Sequence, residues 1–249
     1  MASWPRVWAH RCGGALAPEN TLAGLRAAVA LGCPGVEFDV MLSRDGVPVL
    51  IHDETLERTT NGRGEVARIP AAELARLDAG RWFNPRFAGE PVPSLMEAIA
   101  VCRVAGVFMN VEIKPGAGRE WVTGQVVARL LQRAGVGPDG LVLSSFSPIA
   151  LAAAREAAPG LPRGLLLGGV SVDGLQACQT LGCQALHCDT RLLQEDQVRE
   201  IKAAGLRVAV YTENEPAVTL ARLAWGVDAV ITDQPARLLA DPRIALRQK

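Results

Sequence analysis

The apolar and polar positions along the chain repeat one pattern: a helical stretch, a glycine and a short apolar run. Each helical stretch is rich in Ala and Leu, and the glycine after it suits the left-handed residue that commonly ends a helix. The runs that follow are apolar at both odd and even positions, which is typical of parallel strands covered by helices. The pattern predicts strands at 7–10, 35–42, 108–113, 141–145, 163–167, 185–189, 207–211 and 229–233.

Eight strand–helix units predict an α/β fold, and a closed (β/α)8 barrel accounts for them better than an open sheet. No strand is left over and no dinucleotide-type GxGxxG loop occurs, although an open doubly wound sheet remains the alternative. Helix start signals support the units. Asn20 is a candidate cap for the first helix, Ser94 to Glu97 fits a capping box, and Ser147 precedes a first-turn proline.

The interval between the second and third predicted strands is much longer than the others. We expect residues 1–249 to form one domain in which residues 53–92 are a small insertion after the second strand. An insertion that follows a barrel strand lies at the carboxyl rim, where active-site lids occur. A plain solvent-facing excursion is the other interpretation.

The charge balance and the cysteines narrow the class of protein. The 26 basic and 26 acidic side chains cancel, so the chain offers no long-range attraction to nucleic acid or to an anionic membrane. No apolar run has the length of a transmembrane helix, and the first residues lack the features of a signal peptide. The six cysteines contain no CxxC pair and are expected to be small buried apolar residues. We therefore expect a cytoplasmic protein without stable membrane insertion.

Carboxylates are concentrated in the second and third predicted strands. Glu37 and Asp39 are two residues apart and so share a strand face, and Glu112 and Lys114 do the same on the next strand. Three carboxylates that converge inside a barrel are expensive to bury as free charges. Oxygen ligands without thiolates or clustered imidazoles favour Mg²⁺ or Ca²⁺ over Zn²⁺.

Two of the three histidines flank these carboxylates in the predicted fold. His10 ends the first strand and His52 ends an extension of the second, so one imidazole could accept a proton while the other donates it. Arg11 offers a fork suited to phosphate oxygens and Lys114 adds a point charge. Together with a cation, this set indicates phosphoester cleavage. The third histidine, His187, is interpreted as structural or rim-lining.

An ordered series of motifs resembles the glycerophosphodiester phosphodiesterases, in particular the bacterial cytoplasmic type. The motifs are His10-Arg11, Pro18-Glu-Asn-Thr21, Glu37-x-Asp39, His52-Asp53, Thr59-Thr-Asn-Gly62, Val92-Pro-Ser-Leu95, Glu112-x-Lys114, Ser145-Phe146 and Gly226-Val-Asp-Ala-Val-Ile-Thr-Asp233. The resemblance covers nearly the whole chain. It implies a TIM barrel with a small insertion after the second strand, and hydrolysis of glycerophosphodiesters to glycerol 3-phosphate and an alcohol.

The resemblance also implies roles for individual residues. Glu37, Asp39 and Glu112 match the metal ligands, with one divalent cation, Mg²⁺ or Ca²⁺ and also Mn²⁺, as cofactor. His10 and His52 match the acid–base pair, and Arg11 and Lys114 match the phosphate contacts. Phe146 and Tyr211 are expected to contact the substrate, which is a small molecule. The family path runs through a cyclic phosphate, formed by the glycerol 2-hydroxyl and then opened by water.

Two positions depart from the family pattern. The family usually has glycine after His-Arg, where this chain has Cys12, followed by two glycines that could take over the turn. Near the seventh strand, Tyr211 stands where the family has tryptophan, and Glu213 adds a carboxylate. Neither change removes a candidate catalytic group.

Two other functions compete with this one. A related barrel that acts on lysophospholipids as a lysophospholipase D, or on phosphoinositides, would use exposed apolar or basic loops to dock on membranes. Trp82, Phe83 and Phe87 of the insertion could serve that purpose, but the nearby arginines are few. A non-catalytic sugar-phosphate-binding barrel is the second alternative, and the complete set of polar site residues argues against it. A monomer and a homodimer are both compatible with the sequence.

Overall fold

In the part of the chain that the structure describes, nine strands form one sheet, and eight of them run parallel and close into a barrel. The structure, a computed structural model, describes residues 4–245. Its strands are β1 (Val7–Ala9), β2 (Gly35–Leu42), β3 (Pro48–Leu50), β4 (Phe108–Ile113), β5 (Leu141–Ser145), β6 (Arg163–Leu167), β7 (Ala185–Asp189), β8 (Arg207–Tyr211) and β9 (Ala229–Thr232). Trp8 of β1 pairs with Gly35 of β2 on one side and with Ile231 of β9 on the other, which closes the barrel. The predicted (β/α)8 barrel is confirmed, and the open sheet is excluded.

Helices alternate with the parallel strands and surround the barrel. They are α1 (Leu22–Leu31), α2 (Ala71–Leu74), α3 (Leu95–Ala105), α4 (Glu120–Arg133), α5 (Pro148–Ala157), α6 (Val172–Leu181), α7 (Glu195–Ala203), α8 (Pro216–Trp225), α9 (Pro235–Leu239) and α10 (Pro242–Ala245). The capping box at Ser94 and the cap at Ser147 are confirmed. The predicted cap at Asn20 is wrong, because the hydroxyl of Thr21 caps α1. None of the helices within residues 4–245 has the length and hydrophobicity that a bilayer crossing requires.

The two faces of β2 carry different kinds of side chain, apolar on one and acidic on the other. Val36, Phe38 and Val40 are buried against the helices in the main apolar core, whereas Glu37 and Asp39 point into the barrel. All six cysteines are free and buried, as their scatter through apolar segments predicts. The sheet therefore keeps a continuous apolar shell outside and reserves its interior for polar groups near the carboxyl end.

The opposite end of the barrel interior is closed by aromatic rings. Trp8 stacks on Phe108 with ring centroids 5.2 Å apart, and the His187 ring lies 5.9 Å from Trp8. His187 is fully buried, and this burial lowers its pKa to about 3. A histidine that stays neutral among indole and phenyl rings is a packing residue. Of the two roles considered for His187, the structural one fits this position and the rim-lining one does not.

The long interval after β2 begins with a strand that the eight-strand prediction did not count. β3 pairs antiparallel with β2, with Val40 opposite Leu50. The segment that follows packs on residues of β2 and β3 in a small separate apolar cluster, formed by Met41, Val49, Ile51, Leu56, Val66, Leu74, Ala79 and Val92. Its far end is tied to α1, where Glu90 accepts a hydrogen bond of 2.8 Å from the backbone N–H of Ala23. Residues 53–92 are thus a packed unit attached next to the β1–α1 connection.

The packing of His187 leads to a stability prediction. A Cβ added to Gly164 would lie 2.6 Å from Nε2 of His187, and a fully buried ring has little room to move. Gly164→Ala is therefore expected to lower the free energy of unfolding by about 1–3 kcal/mol, measured by urea denaturation. Gly160→Ala, where the added atom would meet nothing within 4 Å, is the matched control. In a His187→Ala background the effect of Gly164→Ala should nearly vanish, and an unchanged effect would contradict this packing.

Candidate active site

Three carboxylates from two neighbouring strands meet inside the carboxyl end of the barrel. Glu37 and Asp39 lie on β2 and are each 2% exposed, and Glu112 lies on β4 directly opposite Asp39 in the strand register. One oxygen from each residue lies within 4.8 Å of the others. The period of the strands and the parallel register together produce this cluster. It is the convergence that the sequence predicted.

The cluster is electrostatically unfavourable without a cation. Burial raises the pKa of Glu37 far above its ordinary value, and repulsion from Asp39 and Glu112 raises it further. Burial, followed by the charge of Asp39, raises the pKa of Glu112 to about 8. Within residues 4–245, Oε1 of Glu37 is buried and has no hydrogen-bond partner. A buried carboxylate oxygen without a partner, in a residue clustered with two other carboxylates, suits a hard divalent cation, so these residues fit the predicted metal.

These pKa shifts link the stability of the protein to pH. The folded pKa of Glu112, about 8, lies above the ~4.3 of a glutamate in an unfolded chain. As pH rises through this window, the unfolded chain loses its proton first, so the cation-free protein should become less stable. Thermal unfolding in chelator is expected to show a falling Tm from about pH 5 to about pH 8, and Mg²⁺ or Ca²⁺ should reverse the fall. Glu112→Gln should flatten this pH dependence, and a flat profile in the unaltered protein would contradict it.

His10 stands beside the cluster and is oriented by a carboxylate from the far end of the chain. Its Nδ1 lies 2.6 Å from Oδ1 of Asp233, which follows β9, and its Nε2 lies 3.9 Å from Oε2 of Glu37. Asn214 holds Asp233 through its amide, by contacts of 3.4 Å and 2.8 Å. Because Nδ1 faces a carboxylate, Nδ1 carries the proton and Nε2 faces the site. A role for Asp233 or Asn214 was not predicted.

His52 has the same kind of support from its chain neighbour. Its Nδ1 lies 2.6 Å from Oδ1 of Asp53, and its Nε2 lies 3.1 Å from Nζ of Lys114. Burial lowers the pKa of His52 below its ordinary value, and the charge of Asp39 and the hydrogen bond that His52 donates to Asp53 oppose the shift. Two imidazoles, each with Nδ1 on an aspartate and Nε2 toward the site, therefore flank the carboxylate cluster.

Arg11 and Lys114 place positive charge on the same cluster. The backbone N–H of Arg11 donates to Oε2 of Glu37 at 2.8 Å, and its guanidinium reaches Glu19 at 2.9 Å. Nζ of Lys114 lies 3.7 Å from Glu112 and 3.9 Å from Asp39. Both cations are partly buried, so their charge is only partly screened by solvent. Their positive charges would therefore attract an anionic group of a ligand bound at the carboxylate cluster.

Phe146 and Tyr211 are brought together on one side of the site. Phe146 is 51% exposed and, with His52 and Lys114, lines an open cleft of about 520 Å³. The Tyr211 ring lies edge-on to Phe146 at 5.9 Å, and its hydroxyl donates to the carbonyl of Leu167 at 2.9 Å. Since that hydroxyl is occupied, the Tyr211 ring and not its O–H is the part that contacts Phe146.

The two departures from the family pattern have different structural outcomes. Cys12 itself adopts a positive φ of 80°, next to Arg11 at 47°, so the following glycines do not take over the turn. The turn is held by the N–H of Cys12, which donates to the carbonyl of Glu37 at 2.7 Å, and its strain adjoins the site. Glu213 is buried and accepts hydrogen bonds from Thr190 and from the backbone N–H of Glu215. Its carboxylate is thus occupied by local partners.

Sequence reasoning missed the residues that hold the site residues in place. Asn20 donates to Asp39 at 2.8 Å and accepts from the Asp39 N–H at 3.1 Å, which explains why its side chain does not cap α1. The others are Glu19, Asp53, Arg58, Asn214 and Asp233. Glu19, Asn20, Asp53 and Asp233 fall within the family motifs, and that was the available signal.

Comparison with known proteins points to the same family as the sequence motifs do. The model of the glycerophosphoryl diester phosphodiesterase family matches residues 10–237. A glycerophosphodiester phosphodiesterase of Caldanaerobacter subterraneus subsp. tengcongensis is 32% identical over 94% of this chain and 96% of its own.

Solved structures are similar over the same extent. A phosphodiesterase from Oleispira antarctica, in complex with the product sn-glycerol-3-phosphate, has a TM-score of 0.90 and 38% identity over 95% of this chain and 96% of its own. A glycerophosphodiester phosphodiesterase from Agrobacterium tumefaciens has a TM-score of 0.81 and 28% identity over 96% of this chain and 100% of its own. The chain therefore belongs to the glycerophosphoryl diester phosphodiesterase family.

Proposed function

We propose that this protein hydrolyses glycerophosphodiesters to glycerol 3-phosphate and an alcohol, with a divalent cation on Glu37, Asp39 and Glu112. The observation that carries the proposal is the meeting of two aspartate-supported imidazoles with one buried carboxylate triad. The product complex of the Oleispira antarctica relative supports the same chemistry. The cation, Mg²⁺, Ca²⁺ or Mn²⁺, would supply Lewis-acid stabilisation of charge on the phosphoryl oxygens.

The residues of the chain divide the remaining work. Arg11 and Lys114 bind the phosphate oxygens, and the guanidinium fork suits two of them at once. Phe146 and Tyr211 form the apolar wall of the cleft, against which the leaving alcohol packs. A glycerophosphodiester is small enough to fit the open cleft, whose volume is about 520 Å³.

The two histidines move the protons. His10 accepts the proton of the glycerol 2-hydroxyl as its oxygen attacks phosphorus, and Asp233 stabilises the resulting imidazolium. The bond between phosphorus and the leaving oxygen breaks, and His52, which enters the step as the imidazolium, gives that oxygen its Nε2 proton. Water then opens the cyclic phosphate with the proton transfers reversed, which returns both histidines to their starting states.

A panel of substrates tests the proposal. Release of glycerol 3-phosphate from glycerophosphocholine, measured in excess divalent cation, is the expected activity. Lysophosphatidylcholine is the discriminating substrate, because Trp82 and other aromatics of the insertion are partly exposed and could bind an acyl chain. Faster turnover of lysophosphatidylcholine would replace this proposal by the lysophospholipase D alternative. Binding of glycerol 3-phosphate without any turnover would favour the sugar-phosphate-binding barrel.

We also propose a domain organisation, a location and an oligomeric state for the protein. Residues 1–249 act as one catalytic domain, and residues 53–92 are its rim insertion, since that segment contributes Asp53 beside His52. We propose that the protein works in the cytoplasm as a monomer or homodimer.

A further inference from the structure

An arginine of the insertion joins two carboxylates that each hold a candidate site residue. Nε and one terminal nitrogen of Arg58 contact the carboxylate of Asp53 at 2.5 Å and 3.1 Å. Both terminal nitrogens contact Glu19, each at 2.8 Å. The planar fork of arginine is suited to such bidentate contacts, and few other side chains could bind two carboxylates this way.

Each of these carboxylates also contacts a candidate site residue. Asp53 contacts Nδ1 of His52 at 2.6 Å, and Glu19 contacts the guanidinium of Arg11 at 2.9 Å. A continuous chain of charged hydrogen bonds thus runs from His52 through Asp53, Arg58 and Glu19 to Arg11. Arg11 and Glu19 belong to the β1–α1 connection, whereas the other three residues follow β3. This series of side-chain hydrogen bonds therefore connects two segments that backbone hydrogen bonds do not join at this point.

We propose that Arg58 is a positioning residue that fixes His52 relative to Arg11. The phosphate bound by Arg11 is then held so that its leaving oxygen lies next to the imidazole that protonates it. This inference rests on the proposed function, in which His52 is the general acid and Arg11 binds phosphate. Without Arg58, the two carboxylates would face each other with no cation between them and would turn away, taking their partners with them. Within residues 4–245, Arg58 makes no hydrogen bond to the carboxylate cluster and does not itself line the cleft; it contacts the cleft wall only through Asp53.

The other histidine has a support that does not involve Arg58. Asp233 is held by the Asn214 amide, and the backbone N–H of His10 donates to the carbonyl of Thr232 at the end of β9, so His10 is anchored on the barrel itself. Loss of Arg58 should therefore disturb one imidazole and leave the other in place. This asymmetry separates a positioning role from a general loss of structure.

The first test compares two substrates in the full-length protein with excess Mg²⁺. Arg58→Met is expected to lower kcat for glycerophosphocholine about 10- to 100-fold, the range that a small misplacement of a catalytic group produces. A nitrophenyl ester of glycerophosphate needs little help from a general acid, so its kcat should fall only a few-fold. Arg58→Lys keeps the charge without the fork and should recover part of the loss. Arg68→Met, which removes an exposed arginine paired with Glu65 in the same insertion, is the matched control and should match the unaltered protein.

A double variant tests whether Arg58 acts through its neighbour. If it does, Asp53→Asn combined with Arg58→Met should cost little more in kcat than Asp53→Asn alone. Multiplying losses would overturn the proposal. Equal losses on both substrates, accompanied by a lower Tm, would also overturn it, because they would show a structural role only.

A spectroscopic test does not depend on activity. The chain has three histidines, so the ¹⁵N-labelled imidazole spectrum is simple and can be assigned with single histidine variants. Arg58→Met is expected to shift the His52 resonances and to leave those of His10 and His187 unchanged. Unchanged His52 resonances would overturn the positioning role. If the unaltered protein hydrolysed no glycerophosphodiester, the proposed function would fail, while this spectrum would still decide whether Arg58 orients His52.

Discussion

Replacing either His10 or His52 with alanine is expected to lower kcat for glycerophosphocholine by about 10²–10⁴-fold, the usual contribution of a positioned acid or base. Nε2 of His10 lies 3.9 Å from Glu37 and Nε2 of His52 lies 3.1 Å from Lys114, and each ring is oriented by an aspartate 2.6 Å from Nδ1. His187→Ala is the control within the same residue type. It should change kcat far less, because His187 is buried at the opposite end of the barrel interior.

The two alanine variants should differ in their response to the leaving group. A nitrophenyl ester of glycerophosphate should rescue His52→Ala, because its leaving oxygen departs without a proton, and should not rescue His10→Ala. The pH profile of kcat/KM in the unaltered protein should be bell-shaped, and each variant should lose one limb. The double variant should lose much less than the product of the single losses. If neither single variant lost more than a few-fold in kcat, the acid–base pair would be wrong.

The strands of this fold were predictable because they depend on local signals. The predicted segments 35–42 and 108–113 coincide with β2 and β4, each of which begins shortly after a glycine and has one face of alternating apolar residues. The antiparallel β3 was not counted as a strand. It is three residues long, and its pairing with β2 depends on a turn and a partner, which a hydrophobic period does not encode.

The site was predictable where alternation along a strand places its side chains. Glu37 and Asp39 share a face whatever the rest of the chain does. The supporting contacts are different in kind, because they join distant residues: Asp233 lies 223 positions from His10. Asn20 shows that the same limit applies to residues that lie closer together in the sequence. Its sequence context suits a helix cap, but two hydrogen bonds to Asp39 take its side chain instead, and a local pattern contains no information about that competition.

Glu213 illustrates a second limit of the sequence. A carboxylate two residues beyond β8 could be expected to influence the leaving group, and the notable feature in the sequence was its departure from the family pattern. In the structure its oxygens bind Thr190 and the backbone N–H of Glu215. A buried acid with satisfied local partners contributes to the connection before α8, and its chemistry is not available to the cleft.

Removing divalent cations is expected to have the largest effect on activity. In excess chelator, release of glycerol 3-phosphate should fall to background, and Mg²⁺, Mn²⁺ or Ca²⁺ should restore it. The reason is electrostatic as well as chemical. Glu37, Asp39 and Glu112 offer oxygens within 4.8 Å of one another, and burial with mutual repulsion raises the pKa of Glu37 and Glu112 when no cation is present. A site of this kind binds a cation with release of protons.

A single variant separates loss of the cation from loss of the fold. Glu37→Gln keeps the size of the side chain and removes one ligand charge, so it should weaken cation binding, measured by calorimetry, and lower kcat. Because burial already penalises the Glu37 carboxylate, the neutral amide should leave the Tm in chelator unchanged or raise it. In saturating Mg²⁺ the variant should gain less Tm than the unaltered protein, since a weaker ligand stabilises the folded state less. Full turnover by the unaltered protein in excess chelator would remove the cation from the mechanism and leave the carboxylate triad without a catalytic role.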